Sequence, residues 1–521
     1  MTDVPPSTPL ALAIALRDAG KLVEAVVAFQ AVLAKEPEDT NALYALGNVY
    51  RDLLRFDDAE REMREVIRRR PGDAQPYSAL GIILSEAGRL ADAMEAFNAA
   101  MGVDPGYVNA ATNWLNTQQY LPGATEADLA KSSARWAALH APPTPPPAFT
   151  NRRTTDRPLV VGFVSPDMAA HPVGALSVRL FENLDRAVIK PIVFSTRPTT
   201  YEDALSARIA RVSTWTSVFG VPDEVLAEFI KASQVDILID MSGHTGGHRM
   251  KLFARRAAPV QMSWLGYPGT TGVPAVDYLL ATEPLTPAGA DAHYREKIIR
   301  LPHWHACFDP PADAPEVGPL PATRNGFVTF GCFSNPMKLS SDAIAGFSAI
   351  LARVPAAKLR LRYRTFTDVV LQARLRNAFA THGIGGERLL FSGHAPYRDF
   401  LDAYNDVDIA LDTFPYSGCM TTCEASWMGC PVVTFPGATF AGRQSAAFLS
   451  AAGLSKFIAA DRRAFEDLAV DLAADQSTLV ALRAGLRTQV AASPACDGVR
   501  FARDFSAALT HAWATWCAQT A

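Results

Sequence analysis

Two segments far apart in the chain carry residues that could together hold a diphosphate. Lys338 lies just past an apolar run, GFVTFGCF (residues 326–333), where an ammonium point charge can reach a phosphate. After a second run, DIALDT (residues 408–413), the turn Ser417-Gly418-Cys419 leads into a helix opening at Met420-Thr421-Thr422. The free amides and dipole of such a helix start form an anion site. His171 follows the run LVVGFVS (residues 159–165) and precedes Pro172, which predicts a strand-to-helix loop at a carboxyl edge, facing a cleft. An imidazole there can take a proton or line the site. Asp240 and His244, in DMSGHTGG, end another run and could orient an acceptor. Three other motifs read as structure. Asp406-Val407-Asp408 has the spacing of a metal-binding acid pair but stands where a strand begins, and is read as solvated. His303-Trp304-His305 has no obvious further ligands nearby. Cys419 and Cys423 flank the phosphate turn as small packing residues. No metal site is expected.

These loops need rigid elements behind them. Apolar runs at 159–165, 191–195, 236–242, 259–266 and 278–282 alternate with amphipathic stretches, and after the proline-dense stretch 310–321 the pattern resumes at 326–333, 358–363, 388–393, 408–413 and 431–437. Runs of this kind are buried parallel strands joined by crossover helices. They predict two doubly wound α/β domains, residues 158–320 and 321–490, facing each other across a cleft. The stretch 491–521 reads as a terminal helix that packs back on the pair, with Phe501, Phe505, Leu509, Trp513 and Trp516 on one side.

The N-terminal part repeats. Ala25, Ala59 and Ala93 recur every 34 residues, as do Pro37, Pro71 and Pro105, with Phe29, Met63 and Phe97 in step and Gly47 matching Gly81. This is the tetratricopeptide (TPR) pattern: small Ala and Gly let paired helices touch, a bulky residue fills each layer, and Pro follows the second helix. Three full repeats and a partial fourth unit make residues 1–120 a stack with a concave groove suited to holding another protein. Residues 121–157 then read as a helical and proline-rich linker, with APPTPPP as a stiff boundary.

Composition narrows the function. The 521 residues carry 49 Lys plus Arg against 53 Asp plus Glu, net −4, which removes most of the case for a nucleic-acid binder working by phosphate neutralisation, local basic patches aside. No apolar run approaches membrane-spanning length, and MTDVPPSTPL lacks a basic leader. Seven cysteines without a CxxC pair argue against a disulfide framework. A cytoplasmic protein with reduced thiols and no membrane or nucleic-acid partner is expected.

Several segments together carry a family likeness: SPDMAAHPVGAL (165–176), APVQMSWLGYPGTTG (258–272), CFSNPMKLS (332–340), LDTFPYSGCMTTCEASWMGCPVVTFPG (411–437) and GRQSAAFLSAAGL (442–454). They resemble the O-linked N-acetylglucosaminyltransferase and SPINDLY family of protein glycosyltransferases. With the repeats, the likeness covers almost the whole chain. It implies α-helical TPR repeats followed by an α/β glycosyltransferase B fold of two Rossmann-like domains, the first on the acceptor side and the second on the nucleotide-sugar side. It also implies an inverting reaction with a nucleotide-diphosphate sugar and no metal or other cofactor. Sugar transfer expels a diphosphate, so a site must stabilise about two developing negative charges, and Lys338 with the 420–422 helix start could do so. By the resemblance, the hydroxyls of Thr421 and Thr422 add donors, Glu424 binds the ribose hydroxyls and Phe400 stacks on the base. Asn335, Ala395, Gly418, Cys419 and Met420 complete the nucleotide-sugar contacts. His171 matches a histidine that lines the reacting centre and to which general-base roles have been assigned.

The chain also departs from the pattern. The best-known members line their repeats with asparagines that clamp the acceptor backbone, whereas this chain has Ala45 and Ala79. Residues 412–416 with 421–424 look closer to the SPINDLY branch, whose plant members transfer fucose from GDP-fucose. The expectation is N-acetylglucosamine transfer from UDP-GlcNAc to Ser or Thr hydroxyls of a protein held by the repeat groove. GDP-fucose and the nucleotide-linked acidic sugars used on flagellins are the alternatives, as are a TPR scaffold with a non-catalytic nucleotide-binding domain and transfer onto a lipid or small glycan.

Overall fold

The computed structural model describes residues 8–145 and 147–519. Most of the segment read above for a leader (residues 1–7), residue 146 of the proline run and the last two residues of the terminal stretch lie outside that range. Among the described residues no helix is long and apolar enough to cross a membrane.

Six helices pair into three units: α1 (Pro9–Asp18) with α2 (Leu22–Lys35), α3 (Thr40–Asp52) with α4 (Phe56–Arg69), and α5 (Ala74–Glu86) with α6 (Leu90–Val103). Helices α3 and α5 start at Asp39 and Asp73, whose carboxylates accept the first free amides. Ala25, Ala59 and Ala93 are fully buried, as are Phe29 and Met63, with Phe97 nearly so. The glycines do what the repeat demands: a Cβ at Gly47 would sit 2.7 Å from Met63 Cε, and one at Gly81 2.4 Å from the Phe97 ring. Each repeat proline follows the helix that ends two residues earlier.

Helix α7 (Val108–Gln118) continues the stack as a fourth first helix. Helix α8 (Glu126–His140) opens on a Thr125–Asp128 capping box, then leans on the first α/β domain instead of completing a repeat. Its Trp136 and Ala137 share one core with Val164, Phe194 and Leu238. Asn151, in the stretch expected to be a spacer, is buried and donates to Asp236 Oδ1 at 2.9 Å. Residues 121–157 are therefore largely built into the body.

The first sheet has seven strands, β1 (Leu159–Ser165), β2 (Ile189–Ser195), β3 (Thr214–Ser217), β4 (Ile237–Asp240), β5 (Val260–Ser263), β6 (Tyr278–Thr282) and β7 (Lys297–Leu301), in the order β3-β2-β1-β4-β5-β6-β7. The second has five, β8 (Thr329–Cys332), β9 (Lys358–Arg362), β10 (Leu389–Ser392), β11 (Ile409–Leu411) and β12 (Val432–Val433), in the order β10-β9-β8-β11-β12. All pairings are parallel. The runs along the chain predict all of these except β3 and β7. Those two are the sheet's edges, half-exposed and polar at several positions, so they lack the apolar run that marks a buried strand.

The order reverses between β1 and β4 in one sheet and between β8 and β11 in the other, and ligands of such sheets bind outside the carboxyl ends at these switch points. The domains also share a core in which Trp304 packs edge-on against Phe448 at 5.3 Å. The terminal helix Gly498–Ala518 returns from the second domain to the first, burying Phe501, Phe505, Leu509 and Trp513 against Phe163 and Trp264. Repeat helices followed by two such sheets form the glycosyltransferase B arrangement that the family likeness implied.

Candidate active site

The switch point of the second sheet brings together the residues that the sequence marks for a diphosphate. After β8, Asn335 Oδ1 accepts the Met337 amide and starts a short turn, Pro336–Lys338. From its end, the half-buried Lys338 donates from Nζ to Ser417 O at 2.7 Å and sits 4.3 Å above the Tyr416 ring. Burial draws its pKa below the usual lysine value, opposed by Asp412. After β11, Asp412 shapes the turn: Oδ1 accepts the amides of Thr413 (2.9 Å) and Gly418 (2.6 Å), and Oδ2 accepts the Thr434 hydroxyl at 2.6 Å. Residue 418 has no room for a side chain, since a Cβ would lie 2.5 Å from Thr422 Oγ1 and 2.9 Å from Thr421 Oγ1.

The helix Met420–Trp427 follows without a side-chain cap on its first amides. Among the described residues the amides of Cys419, Met420 and Thr421 find no acceptor, which leaves them for a ligand. Two expected contacts are used otherwise. The Gly418 amide belongs to Asp412, and the Thr422 hydroxyl lies 2.7 Å from Ser445 Oγ, which in turn donates to Gly418 O at 3.1 Å. Thr421 is only partly buried.

One turn on, Glu424 is 5% exposed, and burial pushes its carboxyl up to about 8. The Tyr397 hydroxyl donates to its Oε1 at 2.9 Å. Phe400, on the same short helix Tyr397–Asp402, lies nearly parallel to Tyr397 with centroids 6.4 Å apart and meets Phe333 at 5.6 Å. Ala395 is half-buried in the loop after β10. A carboxyl beside an aromatic shelf suits a nucleoside, with ribose hydroxyls on the acid and a base on a ring. Cys419 and Cys423 have thiols raised by burial, Cys419 to about 12, and stay protonated.

In the first domain, His171 caps the helix Pro172–Asn183, its Nδ1 accepting the Val173 amide at 3.3 Å. Its Nε2 thus carries the proton of the neutral ring, and burial lowers its pKa while Asp167 opposes. Asp240 and His244, read as acceptor-orienting, are both buried. Asp240 accepts the Ser242 and Gly243 amides and the Ser263 hydroxyl, its carboxyl raised to about 6. His244 is fully buried, Nε2 donating to Thr271 O at 2.7 Å, edge-on to Trp136 at 4.5 Å, and held neutral at about 3. Both shape the loop that docks on α7, where Asn116 donates to His244 O at 2.6 Å.

Asp408 corrects the solvated reading of its motif. It is fully buried and accepts the Thr329 (2.7 Å) and Ala322 (2.8 Å) amides, tying β11 to β8, while Asp406 pairs with Arg324 at 3.2 Å. His305 is buried and held neutral at about 3. Beside the docked loop, a groove of about 560 Å³ runs between Thr245–His248 and the inner repeat face, lined by Asn48, Ser78, Ala79 and Asn109.

Sequence reading missed Tyr397, Tyr416 and Ser445. Ser445 stood inside a family-like segment and Tyr397 three residues before Phe400, one helical turn away. Tyr416 likewise stood inside the family-like segment 411–437, but nothing local marked its ring as a partner of Lys338.

Comparison with known proteins places this geometry. The chain matches Glycosyl transferase family 41 over residues 134–309 and 321–505 and a tetratricopeptide repeat family over residues 16–83. It is 32% identical over 432 residues to a probable UDP-N-acetylglucosamine–peptide N-acetylglucosaminyltransferase SPINDLY of Oryza sativa subsp. japonica, covering 81% of this chain and 46% of that one. To the protein SEC of Arabidopsis thaliana, also named a probable UDP-N-acetylglucosamine–peptide N-acetylglucosaminyltransferase, it is 26% identical over 370 residues, 69% of this chain and 37% of that one. The chain spans about half the length of the SPINDLY relatives it matches. A solved structure of a lysine-to-methionine mutant of the Thermobaculum terrenum O-GlcNAc transferase superposes with TM-score 0.91 at 33% identity, covering 98% of this chain and 97% of that one. Repeats and paired sheets thus agree with the match along both sheets: the chain belongs to glycosyl transferase family 41.

Proposed function

We propose that this chain is an inverting protein O-glycosyltransferase that moves N-acetylglucosamine from UDP-GlcNAc to Ser or Thr hydroxyls in the cytoplasm. The observation that carries the reading is the 2.7 Å hydrogen bond from Lys338 Nζ to Ser417 O, which keeps an ammonium beside the unbonded amides of residues 419–421. The acceptor hydroxyl oxygen bonds to the anomeric carbon as that carbon's bond to the diphosphate breaks, the diphosphate leaves with the bonding electron pair, and the hydroxyl proton passes to water. The leaving oxygens gain charge, and the lysine, the helix amides and the Thr421 hydroxyl stabilise it. Glu424 and Phe400 hold the nucleoside. The acceptor lies in the groove between the repeats and loop Thr245–His248, with residues 158–320 on its side of the cleft and residues 321–490 on the donor side. His171, neutral and with Nδ1 occupied as a cap, lines the reacting centre. The names of the SPINDLY and SEC relatives and of the Thermobaculum structure support the donor assignment.

The test is a thermal-shift panel with UDP, GDP and CMP. A ligand at 100 times its dissociation constant adds about 2.7 kcal/mol to stability. UDP is expected to raise the melting temperature, with label then passing from UDP-GlcNAc to protein. A shift with GDP alone would overturn the donor assignment in favour of GDP-fucose, and binding without turnover would favour the scaffold reading.

A further inference from the structure

We infer that the repeat stack forms one wall of the diphosphate site, with Tyr120 acting as a positioning residue for Lys338 through Tyr416. The inference rests on the phosphate role of Lys338 proposed above. Tyr120 follows α7, and its ring stacks on Tyr416 with centroids 4.4 Å apart and planes 14° from parallel. The Tyr416 ring also meets the Lys338 ammonium, 4.3 Å from its centroid. An ammonium, a phenol and a second phenol thus form a ladder from the phosphate turn to the repeats. The ladder's outer end is fixed, because Asn116 donates to His244 O at 2.6 Å and Gln119 to Pro268 O at 3.4 Å, both in loops of the first domain.

A second contact bears on the same lysine from another repeat. Gly88, between α5 and α6, lies so close to the Lys338 turn that a Cβ there would sit 3.6 Å from Pro336 O. Around it, Arg374 donates to Ala87 O and Arg364 pairs with Glu86 at 3.1 Å. The turn carrying Lys338 is thereby braced from the repeat side at its base, and the side chain at its tip. Burial raises both phenols, Tyr120 to about 12, so they remain neutral rings whose faces attract the cation. The wall consists of ring faces, so the hydroxyl of Tyr120 is dispensable and its ring is not.

The experiment compares UDP with uridine, which lacks the phosphates, on the full chain by calorimetry. Tyr120→Ala is expected to weaken UDP about tenfold while changing uridine less than twofold, as fits the loss of the stacked ring that holds Tyr416 against the ammonium. Tyr120→Phe should keep both affinities, and Lys338→Ala should weaken UDP at least as much as Tyr120→Ala. If the panel selects GDP, the pair becomes GDP and guanosine. Equal losses for nucleotide and nucleoside, or no loss for either, would overturn the inference while leaving the role of Lys338 standing. Parental UDP affinity in Lys338→Ala would instead overturn the reading beneath it. Should Tyr120→Ala fail to fold, Tyr120→Leu fills the volume without an aromatic face and is read by the same criterion.

Discussion

Glu424 offers a prediction that can be worked through from its surroundings. Its carboxyl lies 5% exposed with the Tyr397 hydroxyl donating to one oxygen, and burial raises its pKa from 4.5 to about 8. In the unfolded chain it ionises near 4.5, so between those two values the folded state binds the extra proton. Stability contributed by this group is therefore full below pH 4.5 and is lost as pH rises towards 8. Each pH unit in that window is worth about 1.4 kcal/mol, which gives a ceiling of about 5 kcal/mol at pH 8. Glu424→Gln keeps an acceptor for Tyr397 and cannot ionise. Melting temperatures of parent and variant, measured without nucleotide from pH 5 to pH 8.5, should lie close together at pH 5 and diverge in the variant's favour as pH rises. A separation independent of pH would refute the reasoning, because it would mean that the carboxyl ionises alike in the folded and unfolded chain.

Two other substitutions probe the frame around the site. Gly81→Val pushes a side chain into the Phe97 ring, which a Cβ alone would approach to 2.4 Å. It should cost about 1–3 kcal/mol as overpacking, read as a lower melting temperature, while Gly72→Ala, with nothing within 4 Å, should be near neutral. Arg443 joins three parts of the molecule, pairing with Glu126 of α8 at 2.8 Å and donating to Leu285 O of the first domain at 2.8 Å. Arg443→Ala takes the cation from the partly buried Glu126, which keeps only the Tyr294 hydroxyl at 3.2 Å, and should lower stability by about 1.5–3 kcal/mol in thermal or denaturant unfolding.

Much of the architecture is written locally. The 34-residue period marks helix contacts that recur in space, and Gly47 and Gly81 sit where Met63 and Phe97 leave no room for a Cβ. The five strands of the second sheet each leave an apolar run because helices or loops cover both faces. Strands β3 and β7 leave none, because they are edges with polar, half-exposed positions, whereas the edges β10 and β12 keep short apolar runs. At the site, Lys338 and the 420–422 helix start are legible because a cation after one strand and a helix start after another meet at any parallel switch point. The surroundings of Asp240 and His244 are not legible: they stand at the carboxyl edge, where α7 and α8 pack on their loop, and no local pattern reports what packs over a loop. Tyr120 and Tyr416 lie hundreds of residues apart in the chain, and only the folded chain brings their rings together.

The claim under all of this is that Lys338 receives the departing diphosphate together with the start of the helix Met420–Trp427. Its most direct test is the rate of sugar transfer by Lys338→Ala against the parent, with folding verified by melting temperature. Removing a preorganised charge-stabilising donor costs about 3 kcal/mol, so the rate should fall by about 10²- to 10³-fold. Transfer within about a factor of three of the parent would correspond to less than 1 kcal/mol and would contradict the account.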